Sequence, residues 1–488
     1  MFRPDMAQAE EFSGKYSIIP VSKEIYADTI TPIQALKAIM TVSPRCFLLE
    51  SVDGGEKWGR YSFIGFEPVA EIKCRNGVLN IDGERPLNVT TNRPSDFIRN
   101  ILKEYKSPRL SFLPPFTGGF VGYFAYEYAK YSYPQLSFSS PDKTGFDDMD
   151  LMLFDKVIAF DHLRQKIIFI INIKTAQLKT AYRKATEDID ALISTIKSRA
   201  FGDSVKGRPT SSFRSEMDEN QYKLVADKAK SFIKDGDIFH MVLSNTYEAD
   251  FEGSLFNTYR VLRTTTPSPY MFFLKFGNME ITGASPETLV KLKGGQLSSY
   301  PAAGSKQRGA TDEEDNALED AIINDAAIIS EHDMLVDTVR NDMGKVSKFG
   351  SVQMTDYRKI QKHSYEMYIS SVVTGKIKDG LDAFDAIDAL LPAGRLSGVP
   401  KLRAVNIIDT LEKSSRGIYG GAIGYIDFTG NMDVCMAIRM CVKNHDKVYV
   451  RAGCGISWKS DPLCGYRQAK DKAQSVINAI EFANEVND

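Results

Sequence analysis

Residues 417–425 read GIYGGAIGY, and residues 118–123, far upstream, read GGFVGY, with the same order of two glycines, two apolar residues, glycine and tyrosine. Each precedes a long β-rich run, FDKVIAFDHLRQKIIFIINI at 154–173 and VCMAIRMCVKNHDKVYVRAGCGI at 434–456. One motif placed ahead of two such runs points to two related sheets. A second glycine-dense stretch, LPAGRLSGVPK at 391–401, lies between two helically periodic segments. Glycine has no Cβ, so its backbone N–H can approach a small anion closely, although tight turns alone carry the same signature.

Bulk properties narrow the function. Lys and Arg number 61 against 63 Asp and Glu, which leaves no basic field to attract nucleic acid or an anionic membrane. With 43% apolar and 25% charged residues the composition is globular, and 488 residues can form two or three domains or one large two-sheet body. The six cysteines (Cys46, Cys74, Cys435, Cys441, Cys454, Cys464) form no CxxC pair, and the five histidines have no metal-ligand spacing. Reduced thiols and a cytoplasmic location are expected, without a zinc or iron–sulfur site. The opening MFRPDMAQAEEF lacks the apolar core of a signal peptide, and no run is long enough to span a membrane.

Taken in order, residues 31–40 predict a helix with Pro32 in its first turn, and Asn76-Gly77 between alternating residues predicts a hairpin. Residues 175–196 are helically periodic. The polar stretch RAFGDSVKGRPTSSFRS at 199–215 predicts a flexible connection, dividing an N-terminal region, 1–200, from a second region, 216–488. The second region opens with an amphipathic helix ending at Gly236, followed by a strand bearing His240; a lone histidine on a strand is more often structural than catalytic. A hairpin turns near Gly277-Asn278, and Glu287 follows a Gly-Ala-Ser-Pro break. A carboxylate there is a general acid if buried and surface charge otherwise. Residues 312–345 read as helix with little interruption and carry Glu331, whose neighbouring charges suit a solvated face. Gly465, Gln468 and Lys472 share one face of the last helix.

GASPE (283–287), PAAGSKQRG (301–309), SEHDMLVDTVRND (330–342), GRLSGVPKLRA (394–404), YGGAIGY (419–425), AIR (437–439) and AGCGI (452–456) resemble, in order, the chorismate-utilising enzymes. LLES (48–51), GRYSF (59–63), PPFTGG (114–119) and PSPYMF (267–272) extend the likeness over almost the whole chain, and it is closest to the large subunits of anthranilate synthase. Ala303 stands where aminodeoxychorismate synthases carry a lysine nucleophile.

The resemblance implies an α+β fold of two large antiparallel β-sheets sandwiched between helical layers. It implies conversion of chorismate and ammonia to anthranilate and pyruvate with Mg2+, the ammonia coming from a glutamine amidotransferase subunit. By resemblance Glu287 protonates the departing hydroxyl. Arg439 and the backbone at Gly304, Gly398 and Gly453 hold carboxylates, Ser305 and Tyr419 line the substrate, and Lys472 ends the motif of the last helix. Glu50, Ser51, Tyr270 and Met271 would hold tryptophan as feedback inhibitor.

The departures gather at the reacting centre. Of the family's Mg2+-binding glutamates only Glu331 is retained, the others being Ile328, Gly465 and Gln468. Hard dications want several anionic oxygens, so the expected metal site is doubtful. Tyr368 stands for a histidine linked to pyruvate elimination, Arg395 for a threonine and His240 for a glutamine. Tyrosine, with a pKa near ~10, is a poorer base at neutral pH than histidine near ~6.5. Arg395 brings a cation to a cleft that has lost acids, and His240 is a candidate to activate a nucleophile. The alternatives are a Mg2+-independent enzyme that stops at 2-amino-2-deoxyisochorismate, or a catalytically silent protein that senses tryptophan or binds a partner.

Overall fold

The computed structural model describes residues 1–51, 59–198, 206–362 and 366–486. Among them lie a 14-stranded and a 12-stranded sheet, with antiparallel pairing throughout the registered strands. Both sheets mix the two halves of the chain. In the larger sheet Arg45–Glu50 pairs with Tyr270–Phe276. In the smaller sheet Gly119–Phe124 pairs with Ala422–Asp427, so the two echoing motifs lie side by side with Gly122 opposite Gly424.

That pairing explains the repeated glycines. A Cβ on Gly122 would fall 2.0 Å from the carbonyl oxygen of Asp150, and one on Gly424 would fall 2.1 Å from that of Asp433. Only a residue without a side chain lets the neighbouring strands come this close.

Period-two alternation builds the layers. Phe47, Phe63 and Phe272 point into a core shared with Val121, Tyr123 and Ile423 of the other sheet, which fills the space between the sheets. Their neighbours Leu48, Ile64 and Phe273 point the other way, against helices represented by Leu36, Ile189, Tyr259 and Val476. The smaller sheet's outer face is covered by helices contributing Ile98, Val336 and Ile387. The expected two sheets between helical layers are therefore present.

Local sequence accounts for the helix ends near the cleft. Asp382 and Asp385 form a reciprocal cap on Ala383–Leu390, and Asp461 with Pro462 starts Pro462–Phe482. The expected long helix over 312–345 is two, Asp312–Ile323 and Ala326–Val346, because Asp325 accepts from the backbone of Ala327 and Ile328 and opens the second. Residues 199–205 of the expected connection lie outside the described residues. In the remainder, Arg208–Pro209 and Arg214–Ser215 pair with His240–Glu252, and the boundary does not separate one sheet from the other.

Candidate active site

Two chain crossings place the central residues. Met279–Ser285 lies in the larger sheet and Thr288–Lys293 in the smaller, so Glu287 sits where the chain passes between them. Met432–Met436 and Met440–Asn444 make the reverse passage alongside, and Arg439 lies on it. The crossings are tied together: Met436 N donates to the Glu287 carbonyl at 2.9 Å, Ser285 Oγ to the Met436 carbonyl at 2.7 Å, and Ala284 N to the Arg439 carbonyl at 3.0 Å. Arg439 takes a left-handed backbone (φ 49°), unusual for a residue with a side chain and the kind of strain found at functional positions.

Arg395 arrives on the turn between Ala383–Leu390 and Lys401–Leu411. Lys401 anchors this turn, 2.5 Å from Asp342 and donating to the carbonyls of Ala389 and Leu390 at the end of the first helix. Gly398 pairs with Met241, and a Cβ on it would lie 2.3 Å from the carbonyl oxygen of His240. Arg395 Nη2 thereby reaches Glu287 Oε1 at 3.1 Å, while Nη1 donates to the carbonyl of Ala302.

The remaining partners come from the sheets and the last helix. Lys472 Nζ donates to the Gly453 carbonyl at 3.1 Å. The Tyr419 hydroxyl lies 2.9 Å from where a Gly453 Cβ would stand, which brings Tyr419 to the same strand. Arg439 Nη2 is 2.9 Å from Glu366 Oε2, which also accepts from Ser305 Oγ. Glu287, Arg395, Arg439, Lys472 and Ser305 are therefore brought into one cluster.

Glu287 is only 7% exposed. Burial pushes its carboxyl up, and although Arg395, Arg439 and Lys472 oppose this while Glu366 reinforces it, the net direction is upward. Burial likewise pushes the Lys472 ammonium down, with Arg395 and Arg439 adding to that and Cys454 and Glu287 resisting. Burial raises the Tyr419 hydroxyl to about 12, so it is neutral and can donate a hydrogen bond. The site thus holds a buried acid with elevated proton affinity among cations, which suits proton donation to a leaving group on an anionic ligand.

His240 is buried at the start of its strand with its ring against Gly455, and its Nδ1 has no hydrogen-bond partner among the described residues. Burial lowers its pKa, Glu331 opposes and Arg395 assists, so the ring is held neutral. Tyr368 is two residues from Glu366 on Glu366–Lys376, and alternation puts both on one face.

The residues at the expected magnesium position do not suit that ion. A Cβ on Gly304 would lie 2.5 Å from Ile328 Cγ2, so an apolar side chain fills the space against this backbone. Gln468 Oε1 accepts from Cys454 Sγ at 3.0 Å, and Gly465 is packed toward Ile456 and Tyr222. Glu331 is the sole carboxylate among these four positions, and an amide, an isoleucine and a glycine supply too little anionic oxygen to offset dehydration of Mg2+. Among the described residues no group of three His, Cys, Asp or Glu side chains could hold a metal.

A separate cavity of about 550 Å3 is lined by Glu50, Ser51, Tyr270 and Met271, the four expected effector residues. Glu50 is a buried anchor there: it accepts from Ser62 at 2.9 Å, from Arg263 at 3.0 Å and from the Tyr259 hydroxyl.

Sequence reasoning missed Glu366. Its signal was present, an acid at the start of the strand Glu366–Lys376 on the same face as Tyr368, but nothing in the local pattern names a partner 73 residues away.

Comparison with known proteins identifies the family. The chorismate binding enzyme family matches residues 44–478. Anthranilate synthase component 1 of Acetivibrio thermocellus is 40% identical over 100% of both chains, and that of Aquifex aeolicus 37% identical over 98% of each. The crystal structure of anthranilate synthase component I from Streptococcus pneumoniae TIGR4 superposes with a TM-score of 0.76 at 35% identity, covering 86% of this chain and 92% of that one. MenF, the menaquinone-specific isochorismate synthase of Escherichia coli, shares the fold at 14% identity with a TM-score of 0.72, covering 97% and 98% of the two chains. With the match spanning most of its length, the chain belongs to the chorismate binding enzyme family.

Proposed function

We propose that the chain works as the large subunit of an anthranilate synthase, converting chorismate and ammonia to anthranilate, pyruvate and water. The observation that carries this is the meeting of a buried Glu287 with Arg395, Arg439 and Lys472 at the crossing between the sheets. Support comes also from full-length relatives named anthranilate synthase component 1.

Arg439, Lys472 and the backbone around Gly453 orient the carboxylates of chorismate. Glu287 gives its proton to the C4 hydroxyl, which leaves as water while ammonia forms a bond to C2 and the ring double bond shifts. The Arg395 guanidinium beside Glu287 supplies fixed positive charge as the hydroxyl departs. Loss of pyruvate then makes the ring aromatic. Ammonia comes from a glutamine amidotransferase partner or from ammonium in solution.

A second reading, amination without pyruvate loss, is favoured by Tyr368 standing for the expected histidine. Incubating the chain with chorismate and ammonium, with and without EDTA, separates the two. Anthranilate formed equally in both tubes supports the first reading without magnesium. Accumulation of a 2-amino ring that keeps its enolpyruvyl group supports the second, and no conversion of chorismate sinks both.

The cavity at Glu50, Ser51, Tyr270 and Met271 supports tryptophan as effector. At a hundredfold excess over its Kd tryptophan stabilises the fold by about 2.7 kcal/mol, read as a rise in Tm, and Ser51→Phe removes that rise by filling the cavity. An equal rise in the Ser51→Phe protein, or none in the original chain, would exclude this site.

A further inference from the structure

Arg439, which the proposed function gives to a substrate carboxylate, is already paired within the chain. Glu366 Oε2 stands 2.9 Å from its Nη2 and also takes the hydrogen bond of Ser305, another residue assigned to the substrate. Glu366 is 9% exposed. Burial alone would raise its carboxyl, but Arg439 by charge and hydrogen bond, Ser305 and Arg395 together hold it below its ordinary range, so it is an anion.

We infer that Glu366 is a specificity-determining residue. As a carboxylate of the chain itself it occupies the place at Arg439 and Ser305 that a ligand carboxylate would take. It thereby weakens the site for dicarboxylate rings such as chorismate relative to rings bearing one carboxylate. The inference rests on the reading of Arg439 as a carboxylate clamp.

The physical reason is competition for one cation. A ligand that brings its carboxylate to Arg439 either displaces Glu366, leaving a buried anion without its partner, or lies beside it with like charges in contact. Arg395 offers no ready substitute, because Glu287 and the Ala302 carbonyl engage its two terminal nitrogens. A ring with a single carboxylate avoids this, since Lys472, hydrogen-bonded to a carbonyl at Gly453, remains to receive it.

Binding of chorismate and of 3-hydroxybenzoate to the full chain, measured by calorimetry, tests this with Glu366→Gln and Glu366→Val. The glutamine variant is close to isosteric and guards against a folding failure, with Tm checked for both. Both variants should bind chorismate about tenfold more tightly, while 3-hydroxybenzoate changes less than about threefold. Chorismate binding to the original chain that is unchanged or weakened in both variants overturns the role of Glu366 and leaves the proposed function standing. Failure of all three proteins to bind chorismate overturns the proposed function and this inference together.

Discussion

Glu287→Gln is expected to lower turnover of chorismate with ammonium about a thousandfold, within the ~10²–10⁴ that a positioned general acid supplies, and to change chorismate affinity only a few fold. The amide keeps the shape and can still face Arg395, which lies 3.1 Å from Oε1 in the original chain. What it cannot do is release a proton to a departing hydroxyl. Burial gives the natural carboxyl its raised proton affinity, and the cations nearby limit that rise, which favours a group that holds its proton and yields it as charge develops. The measurement is steady-state product formation beside a binding isotherm. A loss below tenfold would remove Glu287 from proton donation, and a large loss of affinity with turnover intact at saturation would make it a binding residue.

The second large effect is on stability. Glu412→Ala is expected to cost about 3–5 kcal/mol, because it leaves buried guanidinium groups without their counter-ion. Glu412 is 5% exposed and Arg416 and Arg451 are 4% and 8% exposed. Arg416 reaches Glu412 at 2.7 and 2.9 Å and Arg451 at 2.8 Å, while Ser244 donates from both its backbone and its hydroxyl at 2.8 Å. Arg416 also donates to the carbonyls of Leu396 and Val242, so this network fastens the turn carrying Arg395 to the strand carrying His240. A lower urea midpoint and reduced turnover should therefore appear together.

The pH dependence has a definite sign. Burial alone would raise the Glu412 carboxyl, but Arg416 and Arg451 outweigh it and hold it below the ordinary glutamate value of 4.5. Its stabilisation is thus fully present above that pH and lost as pH falls through the lower folded value, where the original chain and the variant converge. A stability difference under about 1 kcal/mol at neutral pH would show that the arginines find other partners.

The extent to which the cleft was legible differs residue by residue. Glu287, Arg439 and Lys472 stood in recognisable motifs, and the structure brings them together. Arg395 was readable as an added cation, but its contact with Glu287, 108 positions earlier in the chain, was not. The helix over 312–345 was overextended because its apolar period continues past Asp325, whereas the cap at Asp325 depends on a side chain folding back on the backbone.

By itself the sequence determined the family and, through it, the two-sheet architecture, since the motifs that carry the likeness are contiguous stretches of the chain. The tertiary structure alone decided that Glu366 pairs with Arg439 and that Arg451 joins Arg416 on Glu412. Ion pairs between distant segments depend on how strands cross between sheets, and that geometry exists only once both sheets are packed.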